Sequence, residues 1–182
     1  AEEHALVMAN ALAIENKKLA VLLASQKKTE TELFFEMKTL ITDIAKNLMG
    51  VDVDIVLNNA GMQIAYRTDY FATPVEDYTE SFKINTVAPA MICYHFLPKM
   101  IKKGFGRILN TTSGIRLEPE QAGYSASKAA LDKITIDLGS KINGTDVMIN
   151  LTDPGWCRTD LGGPNAPNSP ESVIPGIVVG AF

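Results

Sequence analysis

Tyr124 and Lys128 are titratable residues whose side chains can point into the same crevice. They lie four positions apart in a segment with helical periodicity, so their side chains project from the same helical face. A free phenol titrates near ~10, and working near neutrality requires lowering its pKa by roughly 3 units, or about 4 kcal/mol. One cation at ~4 Å in an effective dielectric of ~20 supplies about 4 kcal/mol, so Lys128 is sufficient to activate Tyr124. Taken alone, the two residues also fit an exposed helical pair.

Polar and turn-forming residues follow three apolar segments and could face the same crevice. These residues are Asn58 to Gly61, Ser113 with Gly114, and Asp153 to Trp156. Each group alone is ordinary turn chemistry. A serine hydrolase would need a histidine base for Ser113. We interpret His4 and His95 as structural or surface residues, and Gly-x-Ser-x-Gly is absent from the sequence.

The elements that must position these residues alternate between strand and helix. Alternation of this kind predicts an α/β fold with a doubly wound, three-layer parallel sheet, in which ligands sit at the carboxyl ends of the strands. Thr73, Pro74 and Glu76 predict a capped helix start, with an irregularity further along near Pro89 or Pro98. The predicted strands are 19–24, 51–57, 107–112 and 146–151, and the predicted helices are 2–16, 36–49, 74–102 and 123–142.

Composition excludes several other classes of protein. The 182 residues suit one domain, and a net charge of -4 gives no basic footprint for nucleic acid. Apolar runs are too short to span a bilayer, and the first ten residues lack the pattern of a secretion signal. Two cysteines and two histidines favour neither a disulfide scaffold nor a metal site. We expect a single cytoplasmic domain over 1–182 that binds neither membrane nor nucleic acid.

Five segments together resemble the short-chain dehydrogenase/reductase family, in a form similar to its carbonyl-reductase-like members. Each is weak alone, but the order of all five is specific. They are DIVLNNAG at 54–61, KINT at 83–86, GRILNTTS at 106–113, YSASKAAL at 124–131 and PGWCRTDLGG at 154–163.

The resemblance implies hydride transfer between a nicotinamide cofactor and a carbonyl or alcohol. Tyr124 would donate the proton, Ser113 would hold the substrate oxygen, Lys128 would hold the ribose and tune Tyr124, and Asn85 would carry a water that connects Lys128 to solvent. It also implies a homodimer or homotetramer paired through the long helices. The expected cofactor-binding residues are Asn58, Ala60, Gly61, Tyr124, Lys128, Pro154, Gly155 and Thr159.

The choice of cofactor rests on the end of the segment 19–24. A site for NAD usually has an acidic residue at the end of its second strand. Here Ser25 and Gln26 are followed by Lys27 and Lys28, and two lysines suit a 2′-phosphate. We therefore favour NADP, with NAD as the alternative.

The sequence departs from the family at its N-terminal end. No glycine precedes Gly50, so the Gly-rich turn that binds pyrophosphate is absent. The first strand of the family, the region around 26–36 and the last strand of the family are also incomplete or absent in this sequence. We favour residues missing from the sequence over a true fragment or a member that lost nucleotide binding. The rival function is a non-catalytic interaction protein with a Rossmann-like fold.

Overall fold

The structure is a computed structural model that describes residues 19–21 and 53–182. The predicted helices at 2–16 and 36–49, the region around 26–36 and the two lysines at 27 and 28 lie outside the described residues. The description therefore covers the part of the chain that carries the five motifs.

The described strands form a parallel sheet, which confirms the predicted α/β class. Strand β1 is Leu19–Val21, β2 is Ile55–Asn58, β3 is Gly106–Thr111 and β4 is Val147–Thr152. They pair in the order β1-β2-β3-β4, with Asn58 beside Asn110 and Thr111 beside Thr152 at their carboxyl ends. The loops after β2, β3 and β4 therefore leave from one edge of the sheet.

Helices connect these strands and nearly match the predicted ranges. Helix α1 is Val75–Phe82, a π-helical segment follows at Lys83–Val87, and α2 continues as Ala88–Lys103. Helix α3 is Ala122–Gly139. The predicted irregularity thus lies immediately before Pro89, not at Pro98, which α2 accommodates.

The predicted cap of α1 is wrong. Pro74 itself is the N-cap residue, in an extended conformation, and it has no side chain that could cap. The Thr73 hydroxyl instead donates to the carbonyl of Tyr70, 2.7 Å away, because a short 3-10 helix at Tyr70–Ala72 ends there. The hydroxyl that was expected to cap α1 therefore bonds to this short helix, which the sequence pattern did not predict.

The sheet is covered on both faces at β4. Ile149 lies beside Gly139 of α3, whereas the amide of Asn150 donates to the carbonyl of Gly180 at 3.2 Å. Because neighbouring strand residues point to opposite faces, α3 and the 3-10 helix Gly176–Ala181 lie on opposite sides of the sheet. This arrangement agrees with the predicted three layers.

The main core lies between α2 and the sheet. It includes Cys93 and Met100 of α2 with Ile108 of β3, all essentially inaccessible to solvent. A side chain at Gly106 would come within 2.5 Å of Met100, so the start of β3 requires glycine where α2 packs on it. Among the described residues, no helix combines the length and apolarity needed to cross a membrane, and no cluster of potential metal ligands occurs.

Candidate active site

Tyr124 and Lys128 are buried residues of α3 and lie one helical turn apart. Lys128 is 3% exposed, and its ammonium donates to the carbonyl of Thr111 at the end of β3, 2.7 Å away. Tyr124 is 8% exposed, and its phenol interacts with the side chain of Ser113, which follows β3. The structure therefore brings together three of the four predicted catalytic side chains.

Burial dominates the electrostatics of Tyr124. Desolvation raises the pKa of its phenol above the ordinary value of 10.0, the hydrogen bond from Ser113 opposes this rise, and the charge of Asp153 adds to it. The expectation that Lys128 lowers this pKa is therefore wrong for the protein on its own. The neutral phenol, which is the form that donates a proton, prevails at neutral pH.

Burial also changes the pKa of Lys128, but in the opposite direction to that of Tyr124. Desolvation lowers the pKa of the ammonium from 10.5 to about 8, while Asp132 and Asp153 partly restore it. Lys128 thus remains mostly charged at neutral pH. Within residues 53–182 its ammonium makes one hydrogen bond, so it has donors left for a ligand.

Asn85 is held in the π-helical segment and is completely buried. Its side-chain oxygen accepts from the N–H of Met62 and its side-chain nitrogen donates to the carbonyl of Met62, both at 2.8 Å. The same nitrogen donates to the hydroxyl of Ser127 at 3.0 Å. The side chain thus fastens the loop after β2 to α3, in front of Lys128.

Gly61 marks a small space that Asn85 and Lys128 share. A methyl group at Gly61 would lie 3.5 Å from the Lys128 ammonium and 3.6 Å from the Asn85 side-chain oxygen. Ala60 and Gly61 are half-buried there. The predicted fourth member, Asn85, therefore reaches the same crevice as Lys128.

Asn58 is a predicted cofactor-binding residue whose side chain does not reach the crevice. It is 6% exposed, and its amide nitrogen donates to the side-chain oxygen of Asn110 at 2.7 Å. Asn110 in turn donates to the hydroxyl of Thr135 at 2.8 Å. These three side chains form a buried polar network that ties β2, β3 and α3 together. The place of Asn58 in the 54–61 motif did not distinguish this structural role from ligand binding.

The loop after β4 lies next to the loop after β3. The carboxylate of Asp153 accepts from the N–H of Gly114 through one oxygen and from the N–H of Gly155 through the other, each at 2.8 Å. The predicted residues Pro154 and Gly155 are therefore placed beside Ser113. The turn pattern around Asp153 did not predict this contact, although an acidic residue directly before the Pro-Gly pair was the available signal.

Thr159 belongs to a tied loop at 157–168. Cys157 and Asn168 form a parallel bridge at its base, and the Arg158 guanidinium donates to the carbonyls of Ala166 and Pro167 at 2.8 Å. Thr159 is exposed, and its hydroxyl accepts from the N–H of Gly162. Its predicted contact with the cofactor remains a prediction.

The chain is similar in sequence and fold to known oxidoreductases. A family model described as short chain dehydrogenase matches residues 6–169. An uncharacterized oxidoreductase of Bacillus subtilis, YvrD, is 34% identical over 111 residues, which are 60% of this chain and 41% of that protein. A 3-oxoacyl-[acyl-carrier-protein] reductase, FabG of Aquifex aeolicus, is 32% identical over 60% of this chain and 44% of its own length.

A solved structure supports the same fold. The NADPH-bound carbonyl reductase from chicken fatty liver superimposes with a TM-score of 0.63 at 22% identity, over 86% of this chain and 76% of that chain. The chain thus spans less than half the length of the two relatives named above and most of the length of this structure.

Proposed function

The chain belongs to the short-chain dehydrogenase/reductase family, and on that premise we propose that it is an oxidoreductase that transfers a hydride between NADP(H) and a carbonyl or alcohol substrate. The observation that carries this proposal is the buried Tyr124, whose phenol interacts with the Ser113 side chain and which lies one turn from the buried Lys128. A nicotinamide supplies or accepts the hydride when it is bound. The substrate would be a ketone, an aldehyde or a secondary alcohol.

In this proposal each side chain has one task during carbonyl reduction. Ser113 donates to the substrate oxygen without changing its own charge. Tyr124 delivers a proton to that oxygen, and its raised pKa keeps the proton available at neutral pH. The protonated phenol suits carbonyl reduction, which takes up a proton, whereas alcohol oxidation needs the phenol to have lost its proton and should be faster at higher pH.

Lys128 and Asn85 act around the expected cofactor. The unused donors of the Lys128 ammonium and the space at Gly61 suit the ribose hydroxyls of a dinucleotide. Both polar atoms of the Asn85 side chain are engaged by Met62 and Ser127, so its first task is to hold the loop after β2 in place. A water carried at Asn85 remains part of the proposal.

Replacement of the proton donor provides the central test. Tyr124→Phe removes the hydroxyl but keeps the ring, so we expect at least about a 10²-fold loss of the rate at which NADPH is consumed with a panel of ketones and aldehydes. Tyr94→Phe, at an exposed tyrosine of α2, is the matched control and should keep full activity. Equal rates for Tyr124→Phe and wild type would remove the catalytic assignment. Absence of nucleotide binding in calorimetry would favour the non-catalytic interaction protein instead.

NADP is the proposed cofactor because two lysines follow the segment 19–24. The NADPH in the chicken fatty liver enzyme belongs to a protein with the same fold. The double variant Lys27→Ala and Lys28→Ala should lower kcat/KM for NADPH by about tenfold or more while leaving that for NADH nearly unchanged. A loss equal for both cofactors would contradict 2′-phosphate recognition by these lysines.

A cytoplasmic homodimer or homotetramer completes the proposal. Met91, Tyr94 and Ile101 of α2 and Ile136 of α3 are each 43% or more exposed. Large apolar side chains on neighbouring helices are typical of a surface that pairs with a second copy. The small-molecule substrate remains the other expected partner.

A further inference from the structure

We infer that Asp153 is a positioning residue that latches the loop after β4 to the loop after β3 and so fixes the place of Ser113 relative to Tyr124. This inference rests on the proposed function for its catalytic meaning. The latch itself is a feature of the chain alone.

The geometry of the carboxylate carries the inference. One oxygen accepts from the N–H of Gly114, the residue that follows Ser113, and the other accepts from the N–H of Gly155, both at 2.8 Å. Hydrogen bonds from backbone N–H groups to a carboxylate are among the stronger ones in proteins. One side chain thus engages two loops that are 39 positions apart in sequence.

The fit at Gly114 is close. A side chain at this position would come within 3.0 Å of the Asp153 oxygen, so glycine allows the carboxylate to approach the backbone. On the other side, Gly155 has a φ of +67°, a conformation that glycine adopts at little cost, and it turns its N–H back toward Asp153. Both contacts therefore depend on glycine at positions 114 and 155.

The charge of Asp153 also acts on the proton-transfer pair. It raises the pKa of Tyr124 and supports the charged form of Lys128. Among the described residues, Ser113 after β3 also acts on the ionisation of Tyr124, and Asp132 of α3 acts on that of Lys128. Removal of the Asp153 charge should therefore shift the ionisation of Tyr124 to lower pH.

The test compares Asp153→Ala and Asp153→Asn with wild type in NADPH-dependent carbonyl reduction across a pH series. Asp153→Ala should lower kcat by about tenfold or more, because a small misplacement of a catalytic group costs about that much or more. Asp153→Asn keeps one acceptor oxygen and should lose less. In both variants the decline of kcat/KM at high pH should begin at a lower pH than in wild type, because Asp153 supports the protonated forms of both Lys128 and Tyr124.

A second measurement does not depend on activity. Hydrogen exchange at the Gly114 and Gly155 amides should be at least about tenfold faster in Asp153→Ala, the change expected when one charge-assisted hydrogen bond is lost. Asp69→Asn, at an exposed aspartate before the 3-10 helix Tyr70–Ala72, is the control for charge and should leave both readouts unchanged. Unaltered exchange in Asp153→Ala overturns the latch.

The two proposals fail in different ways. If wild-type protein reduces no carbonyl compound, the proposed function fails, and the exchange rates alone support or overturn the latch. If wild type is active and both Asp153 variants retain its kcat and pH profile, the positioning role is overturned while the proposed function stands.

Discussion

At the scale of single residues, burial decides the chemistry of this site more than charge pairing does. The sequence predicted a phenol made more acidic by a lysine, but the structure buries both groups. Burial disfavours the charged form of each, so the pKa of Tyr124 rises and that of Lys128 falls. A sequence shows which groups are neighbours on a helix, but the depth of a crevice depends on loops from distant positions.

The buried ammonium of Lys128 predicts a pH-dependent stability. In the unfolded chain Lys128 holds its proton up to about pH 10.5, whereas in the folded protein it releases it near pH 8. Between these values the unfolded state binds more protons, so folding becomes more favourable as pH rises. Compared with Lys128→Met, wild type should gain about 3 kcal/mol of unfolding free energy between pH 7 and pH 10.5.

Urea unfolding of both proteins at several pH values measures this difference. Lys133→Met, at an exposed lysine of the same helix, is the matched control. A wild-type minus Lys128→Met difference that stays constant with pH would contradict a buried, charged Lys128.

At the scale of elements, the site depends on how closely α3 approaches α1. A side chain at Gly123, the residue before Tyr124, would come within 2.5 Å of the Asp77 backbone carbonyl oxygen. Asp77 is itself held by a two-pronged ion pair with Arg67, at 2.8 and 3.0 Å. The start of α3 is therefore packed closely on α1, and α1 is itself held to the loop that precedes it.

Gly123→Ala should separate α3 from α1 and displace Tyr124. We expect a loss of about 1–3 kcal/mol of unfolding free energy, the usual cost of overpacking, together with reduced reductase activity. Gly176→Ala, where a side chain meets nothing within 4 Å, is the matched control for adding a methyl group. Unfolding midpoints in urea that coincide for Gly123→Ala and wild type would show that the helices tolerate the extra group.

Sequence patterns predicted the helices well but not their irregular parts. Apolar periodicity placed α3 and β3 within one to three residues of their ends. An irregularity near Pro89 was expected, but its π-helical form at Lys83–Val87 was not, because the sequence pattern showed only the proline. This segment nevertheless orients Asn85 toward Met62 and Ser127, so the least predictable piece of helix holds a predicted site residue.

The buried network of Asn58, Asn110 and Thr135 shows the same limit. The family motifs include Asn58 and Asn110 but not Thr135, and the resemblance predicts Asn58 as part of a cofactor site. The structure places them inside, between β2, β3 and α3, where each needs the others as hydrogen-bond partners. Which asparagine faces a ligand depends on the twist and depth of the strand end, and residue type does not encode either.

At the scale of the whole molecule, the apolar side chains on α2 and α3 bear on the oligomeric state. If this surface pairs with a second copy, Tyr94→Asp places a charge in the interface and should convert the dimer to a monomer in sedimentation. Tyr94→Phe keeps the ring and should remain a dimer. A wild-type protein that sediments as a monomer at all concentrations would contradict the proposed pairing.

The tied loop at 157–168 has a consequence for how such a protein diversifies. Its two ends lie side by side at the Cys157–Asn168 bridge, and Arg158 donates to two carbonyls near its end, so these contacts are made within the loop itself. A loop whose two ends are joined by a bridge can be lengthened, shortened or exchanged with little disturbance of β4. New preferences for small molecules could therefore arise at this one place while the machinery on α3 is left untouched.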